Sequence, residues 1–130
     1  MNSSKVVLDS SVMLAIVHRE PGFEKLTPEL LAQAAASTVN LAETQTKLVS
    51  AGWTAEEAWE DATSPVHEIV EFTPEHARTT GSLIAETRPY VLSLGDRACL
   101  ALALSLNAPV YTADRSWKNL KLGVRIHVIR

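Results

Sequence analysis

Lys5-Val6-Val7-Leu8-Asp9-Ser10-Ser11 joins a short apolar run to three residues that favour helix N-caps, the pattern of a buried strand that turns directly into a helix. That helix is expected to reach about His18, with Pro21-Gly22 breaking the chain beyond it. Working outward, the alternation repeats. Phe23 to about Leu31 reads as a second helical stretch and Ala35-Ala36 as a weak short strand. Ser37 or Thr38 then caps a long helix carrying Val39, Leu41, Ala42, Gln45 and Leu48, which Gly52 ends. Thr54-x-x-Glu57 is a capping box, and it opens a helix with Ala55, Ala58, Trp59 and Ala62 on one expected face, stopped by Ser64-Pro65. Ile69 to Phe72 reads as a third strand, and Thr73-Pro74 starts a helix that Leu83 and Ile84 continue. After Arg88-Pro89-Tyr90, an apolar helix runs from about Leu94 to Leu106, closed by Asn107 and Pro109. Val110 to Thr112 and Ile126 to Ile129 complete the strands. This order predicts an α/β fold with a central, mostly parallel sheet flanked by helices on both faces.

The chain has 130 residues, 46% apolar and 21% charged, which suits a single globular domain over residues 1–130 with its own core. One cysteine, Cys99, sits among Ala98, Leu100 and Leu102; a disulfide framework is thereby excluded, and a reducing, cytoplasmic setting is expected. The apolar stretch Val12 to Val17 is too short for a signal sequence, and no run is long enough to span a membrane. The formal net charge of −3 argues against bulk electrostatic binding of nucleic acid. The charge is unevenly spread. No Lys or Arg occurs from Leu48 to Ala77, whereas after Asp114 come Arg115, Lys118, Lys121, Arg125 and Arg130 with no further acid.

In a parallel sheet the carboxyl ends of the strands gather at one edge, and ligands bind there. Asp9 follows the first strand and Asp114 lies two residues beyond Thr112, so both face that edge. Glu43 is near the start of the long helix, three residues after Asn40, and Asp96 is in the first turn of the apolar helix. Each has a purely structural explanation: Asp9 as a helix cap, Glu43 paired with Lys47, Asp96 in a Ser93-x-x-Asp96 capping box, Asp114 in a turn. Together they are harder to explain. Two carboxylates about 4 Å apart repel by roughly 4 kcal/mol at an effective dielectric near 20, so four gathered acids call for a cation or a shifted protonation, and a metal site is the economical answer. An all-oxygen set selects magnesium, or manganese, over zinc, and His18, His67, His76 and His127 show no ligand spacing. Such a site suits phosphodiester hydrolysis.

Four segments in order, Val6-Val7-Leu8-Asp9-Ser10-Ser11 with Glu20-Pro21-Gly22, Val39-Asn40-Leu41-Ala42-Glu43, Leu92 to Ala101 around Gly95-Asp96-Arg97, and Tyr111-Thr112-Ala113-Asp114, resemble the PIN-domain ribonucleases, in particular VapC-type toxins of bacterial toxin-antitoxin pairs. The resemblance covers nearly the whole chain. It implies a PIN-like fold, Mg2+-dependent endoribonuclease activity (Mn2+ as a substitute), a cognate antitoxin and a homodimer. Carried over residue by residue, it makes Asp9, Glu43, Asp96 and Asp114 the catalytic, metal-binding acids and Ser10 and Thr112 supporting hydroxyls. Some family members carry one more acid just after the last of these, where this chain has Arg115, Ser116 and Trp117.

An acidic protein that holds RNA needs a local basic patch, expected from Arg97, Arg115, Lys118 and Lys121; Arg97 is equally suited to a structural salt bridge. The acidic stretch from about Leu41 to Ala62 is expected to receive a basic antitoxin segment, with Trp53 or Trp59 as anchors, although core packing is the better expectation for Trp59. The rival reading is a non-catalytic acidic-pocket module of receiver type, which wants an acidic pair near the first strand and a late lysine that are not evident here.

Overall fold

The computed structural model describes residues 4–130. Five parallel strands form one sheet in the order β3-β2-β1-β4-β5, where β1 is Val6–Leu8, β2 Ala34–Ser37, β3 Glu68–Val70, β4 Val110–Thr112 and β5 Ile126–Val128. The chain winds outward from β1 to β2 and β3, then returns to the other side of β1 for β4 and β5. A switch point therefore lies between β1 and β4, and in open parallel sheets the ligand crevice forms outside the strand ends at such a point.

The helices are α1 Ser10–His18, α2 Pro28–Leu31, α3 Thr38–Ser50, α4 Ala55–Thr63, α5 Pro74–Ser82, α6 Ile84–Thr87 and α7 Leu94–Leu106. Side chains alternate across β1, so Val7 enters a core with Cys99, Leu100, Leu102, Val110 and Trp117, while Leu8 enters another with Val12, Met13, Leu41, Ala62 and Ile129. The first core lies under α7 and the second under α1, α3 and α4. All four residues of β2 are buried; alanines, poor strand formers in isolation, suit a strand pressed by helices from both faces. Caps fall where local sequence places them: Asp9, Ser37, Thr54, Thr73 and Ser93 each accept a hydrogen bond from the first turn of their helix. Gly22 has φ +95°, and a Cβ there would strike the Ile129 carbonyl, so only glycine lets this turn pass under the C-terminal strand.

Three expectations change. Phe23 to Leu31 is not one helix but a 3-10 turn, Phe23–Lys25, followed by α2; Pro28 forces Thr27 into extended backbone, from which Thr27 caps the new turn. The third strand sits earlier than Ile69 to Phe72, because the Phe72 N–H leaves the ladder and donates to Thr38 Oγ1 at 3.2 Å. Trp59 is not a core residue. It is 41% exposed, while Ala58 and Ala62 are fully buried, since a nine-residue helix buries one stripe and small residues let α4 approach α3 closely. The buried tryptophan is Trp117. Among the described residues, no single helix is long and apolar enough to cross a membrane.

Candidate active site

Asp9 ends β1 at the switch point and is 3% exposed. Both of its oxygens are held: Oδ1 accepts from Ser11 Oγ at 2.7 Å and from the Val12 N–H at 3.0 Å, and Oδ2 accepts from Thr112 Oγ1 at 2.7 Å. Thr112 Oγ1 also accepts the Asp114 N–H at 3.0 Å, and Ser11 Oγ accepts the Ala113 N–H at 2.9 Å. The ends of β1 and β4 are thus laced by two hydroxyls. Burial lifts the Asp9 carboxyl to about 6, against the pull of the Ser11, Thr112 and Val12 hydrogen bonds, and the charge of Asp96 pushes it in the same direction.

Glu43 approaches from α3. Its Oε1 accepts from Asn40 Nδ2 at 3.0 Å, and the same amide donates to the Gly95 carbonyl at 2.9 Å. Asn40 is 1% exposed and clasps the start of α7 to α3. A Cβ at Gly95 would fall on the Glu43 carboxylate, so a glycine at this helix start is what admits the acid. One residue on, Asp96 closes the capping box: its Oδ2 accepts the Ser93 N–H at 2.9 Å, and its own N–H donates to Ser93 Oγ at 3.1 Å. Asp9, Asp96 and Glu43 all lie within electrostatic reach of the buried Cys99 thiol, which burial first and then these three charges raise well above its usual range.

Asp114 is placed differently. It is exposed, and its Oδ1 caps the 3-10 turn Arg115–Asn119 by accepting from the Ser116 N–H at 2.9 Å and Ser116 Oγ at 2.7 Å. Three acids are therefore gathered behind the strand ends, with the fourth at the rim, joined to Asp9 through Thr112.

Ser10, expected from the sequence as a supporting hydroxyl, makes no side-chain hydrogen bond among the described residues; the hydroxyl beside Asp9 and Thr112 is that of Ser11. Asn40 is the other residue that sequence reasoning did not single out. Its only signal in the sequence was its position three residues before Glu43, on the same helical face. Arg97 Nη1 donates to the Thr80 carbonyl at 2.8 Å and forms no salt bridge among the described residues. Lys118 and Lys121 are exposed, and Arg115 Nε donates to the Arg130 carbonyl at 3.0 Å. Trp53 lies edge-on to His18, ring centroids 6.3 Å apart, over an open cavity of about 480 Å3 also lined by Glu57, Glu60 and Asp61.

The donor set suits a hard divalent cation. Every side chain at the centre offers oxygen, the buried Asp9 carboxylate has no cationic partner among the described residues, and Asn40 Oδ1 is buried beside Glu43 with no hydrogen-bond partner. The site is open rather than a closed cage: among the described residues no three Asp, Glu, His or Cys side chains stand at metal-holding distance.

The PIN domain family model matches residues 6–122. This chain belongs to the PIN domain family. No curated protein is a significant match. Among solved structures, the fold is similar to that of DNA-bound VapBC from Salmonella typhimurium, at 18% identity over 100% of both chains with a TM-score of 0.77. VapBC2 from Rickettsia felis, bound to a DNA fragment from its promoter, is 21% identical over 96% of this chain and 98% of that one, TM-score 0.73. VapC20 from Mycobacterium tuberculosis, a sarcin-ricin loop cleaving toxin, is 18% identical over 93% of this chain and 99% of that one, TM-score 0.70. At these identities the likeness is one of fold.

Proposed function

We propose that residues 1–130 act as a single PIN domain, a metal-dependent endoribonuclease that is the VapC-type toxin of a toxin-antitoxin pair. The observation that carries this reading is Asp9, a carboxylate 3% exposed at the β1/β4 switch point, with no cationic partner among the described residues and with Glu43 and Asp96 also within electrostatic reach of the neighbouring Cys99. Burying an unpaired acid costs folding energy, and a bound cation is what offsets it. The family match, the sarcin-ricin loop cleaving neighbour and the VapBC neighbours support the same reading.

Asp9, Glu43, Asp96 and Asp114 would hold Mg2+, or Mn2+ in its place. When bound, such an ion supplies a nucleophilic water at neutral pH and neutralises charge on the phosphate. The chain's own part is orientation. Ser11 and Thr112 fix both oxygens of Asp9, Asn40 fixes Glu43 against Gly95, and Asp96 keeps one oxygen in its capping box with the other unengaged among the described residues. Arg115, which adjoins Asp114, and the exposed Lys118 would take RNA phosphates. Lys121 is a more distant contributor, and Arg97, tied to Thr80, serves RNA only through the position of α7. The cognate antitoxin would lay a basic segment on the cavity of Trp53, Glu57, Glu60 and Asp61, with the exposed Trp59 on the same helix as a second anchor. A homodimer in the cytoplasm completes the reading.

The test is sequencing of RNA ends after brief induction, paired with cleavage of the same RNA by purified protein. Cleavage is expected with Mg2+ or Mn2+, none in chelator, and a loss of about 100-fold or more in Asp9→Asn, equivalent to roughly 3 kcal/mol of transition-state stabilisation. The openness of the acid cluster is the observation that favours the alternative, a non-catalytic interaction domain. Calorimetry showing no Mn2+ binding, together with no new RNA ends, would establish that alternative instead.

A further inference from the structure

Beyond Asp114 the chain changes sign. A cavity of about 640 Å3 opens on the β4–β5 flank, lined by Lys25, Tyr111, Arg115, Lys118, His127 and Arg130 together with apolar residues of β5, and no Asp or Glu lines it. Its size is that of an ordinary ligand site, about 300–1,000 Å3. Arg130 is neutralised by Glu20, Nη1 to Oε1 2.9 Å. Lys25, Arg115 and Lys118 have no acidic partner among the described residues, so three uncompensated cations ring the opening. Arg115 is held along one edge by its bond to the Arg130 carbonyl, which leaves its terminal N–H donors for a ligand. In the cavity wall, Tyr111 and His127 pair in register across β4 and β5, with rings stacked at 4.7 Å between centroids and 19° between planes. His127 is exposed.

We propose that this cavity binds single-stranded RNA flanking the cleaved bond, with phosphates on Lys25, Arg115 and Lys118 and a base stacked on the His127 ring; the assignment to RNA rests on the ribonuclease reading. Charge alone suits any polyanion. The ordered pair of flat rings selects a nucleobase, because a base gains by stacking on an exposed ring whereas an acidic peptide offers only charge. It also selects a single strand, since bases in a duplex already stack on one another. The position follows from the chain: Arg115 is covalently next to the rim acid Asp114, so a strand lying in the cavity leads to the carboxylates.

Fluorescence anisotropy of a labelled 12-nucleotide mixed-sequence RNA in chelator, which suspends metal-dependent cleavage, tests this against the same RNA as a duplex and against polyglutamate. The single strand should bind best. Lys25→Ala with Lys118→Ala should weaken it about tenfold and lower the salt slope by roughly 1.4, about 0.7 for each lost phosphate contact. His127→Ala should weaken it about five- to hundredfold with the slope unchanged, and His127→Phe should restore it. All these residues are exposed, and circular dichroism checks that the variants fold. Polyglutamate binding as tightly as RNA, binding equal in all variants, or no RNA binding by the wild type overturns the proposal. If the wild type cleaves RNA while the variants cleave and bind as it does, the cavity assignment falls and the ribonuclease stands. If instead the wild type binds RNA without cutting it and the variants lose that binding, the cavity assignment stands and the ribonuclease falls.

Discussion

On one side of the Asp114–Arg115 peptide lies Asp9, buried and fully hydrogen-bonded, with Glu43 and Asp96 behind it; on the other, Lys25, Arg115 and Lys118 stand in water around an open cavity. The two regions carry opposite charge, but they differ more in what holds them. The acids are fixed by neighbours contributed by four different elements, and the burial of Asp9, with the charge of Asp96 added to it, works against the fold. The bases are solvated and cost the fold little. A hydrogen-bonded region that strains the fold suits chemistry that needs geometry, and a solvated one suits capture of a flexible chain.

Breaking the strained side should give the largest effect. Asp9→Asn keeps a cap for Val12 and removes the buried charge. The Asp9 carboxyl lies at about 6 in the fold and near 3.9 in the unfolded chain, so between these values the folded state holds a proton that the unfolded state has released. Wild-type stability therefore falls as pH rises through that window, by up to about 3 kcal/mol, and Asp9→Asn should not follow it. In chelator the variant should melt no lower than wild type at pH 7.5, with its advantage gone at pH 4, and Mg2+ should raise only the wild-type melting temperature. A wild type that gains stability from pH 4 to 6 relative to Asp9→Asn would mean that Asp9 is not the strained group described here.

Gly95→Ala sharpens the same contrast from the backbone. A helical alanine in place of glycine adds up to roughly 1 kcal/mol of helix stability, yet its Cβ displaces the Glu43 carboxylate, the far end of a flexible side chain. Thermal melts should show an equal or more stable protein, and cleavage assays a loss of tenfold or more, within the range of about 10–100-fold seen when groups orienting metal ligands are disturbed. Full activity in a stable Gly95→Ala protein would detach Glu43 from the site.

Asp96 has both a capping bond and a place among the acids, and paired variants separate the two roles. Ser93→Ala should cost about 1 kcal/mol and leave cleavage intact, because it removes only a cap. Asp96→Asn keeps an oxygen for the Ser93 N–H and should cost little stability in chelator while losing most cleavage. An active, destabilised Asp96→Asn protein would reduce Asp96 to its capping box. The smallest effect belongs to the acidic flank around Trp53: Trp53→Ala should leave melting and cleavage near wild type and weaken only antitoxin binding, measured by calorimetry with the cognate partner. Unaltered affinity would remove Trp53 as an anchor.

Residues separated by a few positions wrote much of this molecule into its sequence. Asp9, Ser37, Thr54, Thr73 and Ser93 bond to N–H groups two or three residues ahead, so their helix starts were legible, as were the alternation of strands with helices, the place of Asp9 at the end of β1 and that of Asp96 in its capping box. What tertiary structure alone decided depends on groups far apart in the chain. Thr112 meets Asp9 across 103 residues, Ser11 meets Ala113 across 102 and Asn40 meets Gly95 across 55, so the lacing of β1 to β4 and the hold of Asn40 on the start of α7 left no local pattern. The exposure of Trp59, the burial of Trp117 and the early start of β3 were likewise set by which neighbour arrived. Helical spacing places a side chain on a face, and only the packing of α4 against α3 determines which face loses its water.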